Sequence, residues 1–138
     1  MTEAWPTPPV EFGPLTRTDL VRYAGASGDF NPLHHDAGFA AQAGLPDVMA
    51  HGMLSAGLLA SAVTTWFGPG SVQSYATRFL APVWPGDTLT ARCVSMSSEG
   101  AFRDLDLELS RADGTVVVTA RARVAPLADG SDGDKENA

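Results

Sequence analysis

Between Asp29 and Asp36 the chain reads Asp-Phe-Asn-Pro-Leu-His-His-Asp, placing two carboxylates, an amide and two imidazoles within eight residues. Side chains of these types move protons, activate water or hold cations. Asp29 and His34 are five positions apart on a stretch folded by Pro32, close enough to converge on one water molecule. The density of Asn, Pro and His suits a loop that carries functional groups rather than the interior of a helix or strand. Asn31 has two readings that fit equally, as a group orienting that pair or as an Asx-turn residue. His35 reads as an exposed or packing imidazole, and Asp36 as the cap of a short helix beginning near Ala37. No metal site is expected from His34, His35, Asp36 and His51, since adjacent side chains in an extended loop diverge and no cysteine or i,i+4 histidine pair joins them. Around Ser55 the G-x-S-x-G pattern is incomplete, so a nucleophile elbow is not supported.

Helices must hold this loop from both sides. Thr16 with Asp19 has the form of a capping box, and Leu20, Tyr23 and Ala24 follow at helical spacing until the glycines at Gly25 and Gly28. A second short helix is predicted over Ala37–Ala43, ending at Gly44 with Pro46 beyond it. From Met53 to Phe67 there is no charged residue, the mark of a helix buried on nearly all sides. Its length of about 22 Å is too short for a membrane and right for the axis of a small domain. Four runs rich in Val, Thr, Leu and aromatics follow, at Val72–Leu80, Thr88–Ser97, Phe102–Arg111 and Thr115–Pro126. In the third run Arg103, Leu105, Leu107, Leu109 and Arg111 alternate with Asp104, Asp106, Glu108 and Ser110, which predicts a half-exposed antiparallel strand. Asp113-Gly114 supplies a tight hairpin turn, Glu99-Gly100 turns the hairpin before it, and Pro85-Gly86-Asp87 marks a further break. One buried helix followed by four antiparallel strands is an α+β domain, and a sheet wrapped around a central helix is the hotdog arrangement. Four strands make a small sheet, so N-terminal pairing, a partner protomer or both are expected.

The 138 residues suffice for one domain with its own core. The expected organisation is an extended proline-rich lead-in over 1–14, a domain over 15–127 and an acidic, solvated tail over 128–138. A net charge of −7 with no cluster of Lys or Arg argues against a nucleic-acid surface. The first residues lack the basic and apolar regions of a signal peptide, and no apolar run is long enough to span a membrane, so a cytoplasmic protein is expected. Cys93 has no partner for a disulfide and is read as a buried structural thiol.

Taken together, Asp29, Asn31, Pro32, Leu33, His34 and Asp36, followed by His51-Gly52-Met53, resemble the paired motif of the MaoC-like (R)-specific hydratase/dehydratase family. Pro14 to Leu20, Arg78-Phe79 and Pro85-Gly86-Asp87 also fit, so the resemblance covers residues 14–125. The opening of the helix is similar to that of the catalytic subunits of mycobacterial-type (3R)-hydroxyacyl carrier-protein dehydratases. The resemblance implies a hotdog fold and no cofactor, with reversible hydration of a trans-2-enoyl thioester to its (3R)-3-hydroxyacyl form. It implies that Asp29 is the main base and acid and that His34 holds and polarises the same water. Such a reaction also needs a stabiliser for the enolate oxygen, and Gly52 is the candidate. It stands where free N–H groups and the helix dipole favour negative charge, and it has no side chain to keep a thioester oxygen away. The alternative for Gly52 is a glycine needed only for a tight loop-to-helix junction. His51 reads as structural, bonded to backbone beside the helix opening.

The implied partners are an enoyl or 3-hydroxyacyl thioester, carried by coenzyme A or acyl carrier protein, and a second hotdog subunit in a homodimer or heterodimer. A hotdog thioesterase is the competing enzyme, disfavoured because Met53–Phe67 holds no Asp or Glu. A non-catalytic acyl-binding subunit is the competing non-enzyme, disfavoured because the Asp29–His34 pair is retained.

Overall fold

A computed structural model describes residues 5–127. The tail expected over 128–138 lies outside the described residues. In chain order the elements are β1 (Val10–Phe12), α1 (Arg17–Ser27), a 3-10 turn (Pro32–His34), α2 (Ala37–Gln42), α3 (Gly52–Phe67), β2 (Val72–Phe79), β3 (Leu89–Glu99), β4 (Phe102–Arg111) and β5 (Val116–Val124).

The strictest alternation in the sequence becomes the middle of the sheet. β4 buries Leu105, Leu107 and Leu109 and turns Asp104, Asp106 and Glu108 to the opposite face. β3 and β5 flank it through tight turns, at Gly100 with φ +59° and at Asp113-Gly114 with φ +87° at the glycine. At the second turn the Asp113 carboxylate accepts from the Thr115 N–H at 2.9 Å, which fixes the reversal. All neighbours are antiparallel and the sheet order is β1-β3-β4-β5-β2. The fifth strand comes from the N-terminal stretch, where Val10, Glu11 and Phe12 pair with Ala91, Thr90 and Leu89. β2 closes the other end and leaves an eight-residue edge without a partner among the described residues.

α3 crosses this sheet and packs Ser55, Ala56, Leu59, Ala62, Val63, Trp66 and Phe67 against it. Leu59 has no exposed surface, and burial of such a side chain contributes about 1.5–3 kcal/mol. Its truncation to Ala should cost about 2–5 kcal/mol. The helix is not covered all round, as its composition suggests. Met53 is 62% exposed, and Gly57, Ser61 and Thr65 line the same open side. The reason is geometric, since one sheet reaches one side of a rod. The helix side left open is mostly small or hydroxylated, which a count of charged residues does not reveal.

At the far end of α3 the N-terminal residues form a clasp. Trp5 stacks on Phe67 with ring centroids 5.6 Å apart and donates its Nε1–H to the Trp66 carbonyl at 2.7 Å. Trp66 donates its own Nε1–H to the Pro8 carbonyl at 2.8 Å. Cys93 departs from expectation: it is half-buried, because the irregularity between Cys93 and Ser95 turns β3 out of strict alternation. Burial is still enough to push its thiol above the usual range. No helix among the described residues is long and apolar enough to cross a membrane.

Candidate active site

α1 delivers the chain to the functional loop at a defined point. Thr16 and Asp19 close the capping box, Thr16 Oγ1 accepting from Asp19 N–H at 3.1 Å and Asp19 accepting from Thr16 N–H at 2.8 Å. Gly25 is carried inside the helix, and Gly28, at φ +75°, ends it by donating to the Ala24 carbonyl. That left-handed conformation suits glycine and turns Asp29 away from the helix axis.

The loop then satisfies its own backbone with its own side chains. Asp29 Oδ1 accepts from Asn31 N–H at 3.2 Å, and Asn31 Oδ1 accepts from Leu33 N–H at 3.0 Å. Asp36 Oδ1 accepts from Phe39 N–H at 3.0 Å and caps α2. Asn31 therefore has its turn role in this structure, with its amide NH2 left over and exposed. Pro32 opens the 3-10 turn, and His34 is swung inward until it is 8% exposed.

His34 is held from behind. Its Nδ1 lies 2.6 Å from the Met49 carbonyl, and Met49 N–H donates to the Leu33 carbonyl at 3.0 Å, a two-way tie between distant segments. A carbonyl only accepts, which assigns the proton to Nδ1 and leaves Nε2 facing outward. There Nε2 meets Asp29 Oδ2 at 3.7 Å. This is too long for a direct hydrogen bond and leaves both atoms free to share one water. Asp29 is half-exposed, so the pair opens to solvent on one side and to protein on the other.

His51 lies directly beneath. It is 2% exposed and its ring stacks on His34, with centroids 3.7 Å apart and planes inclined by 22°. Its Nε2 donates to the Asp29 backbone carbonyl at 3.0 Å, which is the backbone role expected from sequence. Tyr23 meets the ring edge-on at 4.8 Å. Nδ1 of His51 is buried with no hydrogen-bond partner. Asp29, His34 and His51 are thus gathered, with ligand-type atoms within 4.8 Å of one another. Sequence reasoning grouped different residues: His35 is exposed and Asp36 caps a helix. The trio does not make a good metal site, because the two stacked rings hold their in-plane lone pairs in nearly parallel, separated planes, and one ion cannot lie in both.

Gly52 is the first residue of α3, and no side chain caps the helix start. The first amide groups of a helix have no acceptor within it, so this end presents free N–H groups and the positive end of the helix dipole. Gly52 does not adopt positive φ. A tight junction is therefore not what requires glycine here. A Cβ at this position would come within 3.2 Å of the Phe79 ring, so glycine makes room for that ring at the end of β2. Sequence reasoning quoted Phe79 only as part of a motif and missed this contact, which joins residues 27 positions apart.

Beside Gly52 a cavity of about 410 Å³ opens among Met49, Ser55, Phe79, Leu80, Val83 and Val118. Ser55 is the one hydroxyl among these apolar walls. A larger hollow of about 640 Å³ lies on the outer face of the sheet between Ser95, Asp104, Arg121 and Arg123. Its charges are already paired with one another and it lies on the strands alone, whereas the smaller cavity has Gly52 in its wall and adjoins the site there, with Asp29 and His34 outside its lining.

Known proteins resemble the chain in sequence and in fold. The chain is 38% identical over 120 residues to 3-hydroxyacyl-thioester dehydratase Y of Mycobacterium tuberculosis, a match that covers 84% of this chain and 39% of the relative. It is 38% identical over 79 residues to the (R)-specific enoyl-CoA hydratase of Rhodospirillum rubrum, covering 56% of this chain and 55% of that one. The chain thus spans roughly two-fifths to just over half of these relatives' lengths. The solved (R)-hydratase from A. caviae involved in PHA biosynthesis superposes with a TM-score of 0.78 at 25% identity, over 92% of this chain and all of that one. The profile of the MaoC like domain matches residues 6–113, which include the Asp29 loop, the start of α3 and most of the sheet, and the chain belongs to that family.

Proposed function

We propose that this protein catalyses the reversible addition of water to a trans-2-enoyl thioester, giving the (3R)-3-hydroxyacyl thioester. The observation that carries this reading is the Asp29–His34 pair, 3.7 Å apart with the far nitrogen of His34 already taken by Met49. In the neutral ring Nε2 accepts one hydrogen of a water while the Asp29 carboxylate accepts the other. The water oxygen is then free to bond to C3. As that bond forms, the proton passes to Asp29, the C2=C3 π electrons move toward the carbonyl, and negative charge gathers on the thioester oxygen. Gly52, at the uncapped start of α3, is the stabiliser for that charge. Asp29 then returns the proton to C2. Dehydration is the same sequence reversed. The relatives named as hydratases and dehydratases support this class of reaction.

A thioesterase reading lacks an observation in its favour, since α3 supplies no carboxylate. Turnover of crotonyl-CoA and a longer enoyl thioester tests the proposal. Loss of the enoyl absorbance without release of free thiol is expected. Thiol release would make the protein a thioesterase, and binding without turnover would make it an acyl-binding subunit. One shared water also demands syn addition, so hydration in heavy water should place deuterium at C2 on the face that receives the C3 hydroxyl. Anti addition would sink the single-water route.

The working protein is proposed to be a pair of hotdog subunits. The open side of α3, the free edge of β2 and the exposed Phe30, Met53, Phe79 and Leu80 support this. Edges and apolar groups of this kind are ordinarily covered in a stable protein. Light scattering should give twice the chain mass, or the mass of a complex with a related subunit; an active monomer would end the idea.

A further inference from the structure

We infer that His51 is a positioning residue for the Asp29–His34 pair, an assignment that rests on the hydration reading above. Three contacts meet in this one side chain. Its Nε2–H holds the backbone carbonyl of Asp29 at 3.0 Å, its face lies 3.7 Å from the His34 ring, and Tyr23 packs against its edge at 4.8 Å. Among the described residues the other hydrogen bonds of Asp29 are local: its amide donates to Ser27 Oγ at the end of α1 and its Oδ1 accepts from the Asn31 amide. Met49 ties the His34 end of the loop, and His51 is the link that holds its Asp29 end at a fixed distance from the buried imidazole.

The chemistry of the ring fits that role better than a filling role. The carbonyl acceptor fixes the proton on Nε2, so Nδ1 carries a lone pair, and that atom is buried without a donor. A buried unsatisfied acceptor is destabilising, and an apolar ring of similar shape would remove it. Two needs together select imidazole at this position, a donor to Asp29 and a flat face for His34. Phenylalanine supplies only the face, and glutamine supplies only the donor.

The two substitutions separate the roles. His51→Phe should melt within a few degrees of the unsubstituted protein, because the orphaned nitrogen is gone and the Asp29 carbonyl, on an exposed loop, can turn to water. Its kcat for enoyl-thioester hydration should fall about tenfold or more with KM changed less than twofold, the signature of misplaced reacting groups rather than lost binding. His51→Gln should recover kcat to within about threefold of the unsubstituted value. A side chain that merely fills space would give the opposite order, with Phe active and Gln impaired, and that result overturns the assignment. Nitrogen-15 spectra of the labelled histidines in the full chain, without substrate, should show His51 protonated at Nε2. The reverse tautomer would overturn the hydrogen bond on which the assignment stands. Absence of hydration by the unsubstituted chain overturns the reaction and this role with it. Normal hydration with an unchanged kcat in His51→Phe overturns the role of His51 alone.

Discussion

Two regions of this molecule hold carboxylates beside nitrogen bases, and they treat them in opposite ways. On the outer face of the sheet, Arg123 grips both oxygens of Asp104 at 2.9 and 3.0 Å and reaches Glu99 at 2.6 Å, while lying over the Phe102 ring. Asp106 accepts from Ser95 at 2.7 Å and from Arg121 at 3.1 Å. The Arg123 guanidinium holds the Asp104 carboxyl below the usual carboxylate range, and Ser95 with Arg121 does the same for Asp106. In the Asp29 loop one carboxylate oxygen is used by the turn, and the other points at His34 from 3.7 Å without bonding to it. A carboxylate saturated with donors cannot take a proton readily. The Asp29 carboxylate keeps one oxygen unbonded in front of a pinned imidazole. The sheet ties its charges into ion pairs, and the loop leaves one carboxylate oxygen unbonded, as the proposed reaction requires.

Exchanging the groups on each side sharpens the contrast. Asp29→Asn retains an oxygen for the Asn31 amide but loses the base, so turnover should fall about 10²-fold or more while the melting temperature holds. His34→Ala should cost a similar factor, and the double variant little beyond the worse single one, because groups that act as a unit are not additive. A folded Asp29→Asn protein with near-normal turnover would remove Asp29 from the reaction. Gly52→Ala is the intermediate case. The new methyl meets the Phe79 ring at 3.2 Å, but Phe79 is half-exposed and can yield by a few tenths of an ångström. Folding should survive with a melting point within a few degrees, and turnover should fall about tenfold as the substrate oxygen is displaced from the helix end. Full activity in that variant would show that the thioester does not approach Gly52.

The outer face should respond least. Arg123→Ala is expected to leave turnover untouched and to lower the melting temperature slightly at neutral pH, since exposed ion pairs contribute little. Its effect should depend on pH with a definite sign. The carboxyl of Asp104 is held down in the folded state, so its pairing stabilises above the unfolded carboxylate value of about 4 and is lost as pH falls through the folded one. Acid unfolding curves of the variant should therefore be flatter than those of the parent below pH 4. A variant that lost activity at neutral pH would mean that the two regions are coupled.

The sheet was the more legible region. β4 appears at the predicted residues because strict alternation and the Asp113-Gly114 turn leave a single register. β1 could be anticipated only as N-terminal pairing, since three residues between prolines carry no period. Within the loop, the Asp36 cap of α2 follows from local hydrogen bonding and is read directly, while the Asn31 turn is one of two readings that the sequence leaves open. What could not be read is everything that crosses the fold. The Met49 carbonyl behind His34, the stacking of His51 on His34 and the Phe79 ring over Gly52 join positions 15, 17 and 27 residues apart. No periodicity encodes such meetings, because they depend on where α3 and β2 come to rest. The extent of α3 was predicted to within one residue, yet its open side was not, since coverage is a property of neighbours.

The tryptophan clasp has a consequence for how such a domain can be housed. Trp5 rests on Phe67, and Leu127 N–H donates to the Phe67 carbonyl at 3.2 Å, so both ends of the described chain leave from the same end of α3. Gly52 stands at the other end of that helix, about 22 Å away along its axis. A unit with adjoining ends can be spliced into a larger polypeptide with little distortion, and segments grafted there would hang behind the site rather than across its mouth. The same architecture can therefore serve as a free-standing subunit or as one module of a longer chain without rebuilding the corner around Gly52 and the Asp29 loop.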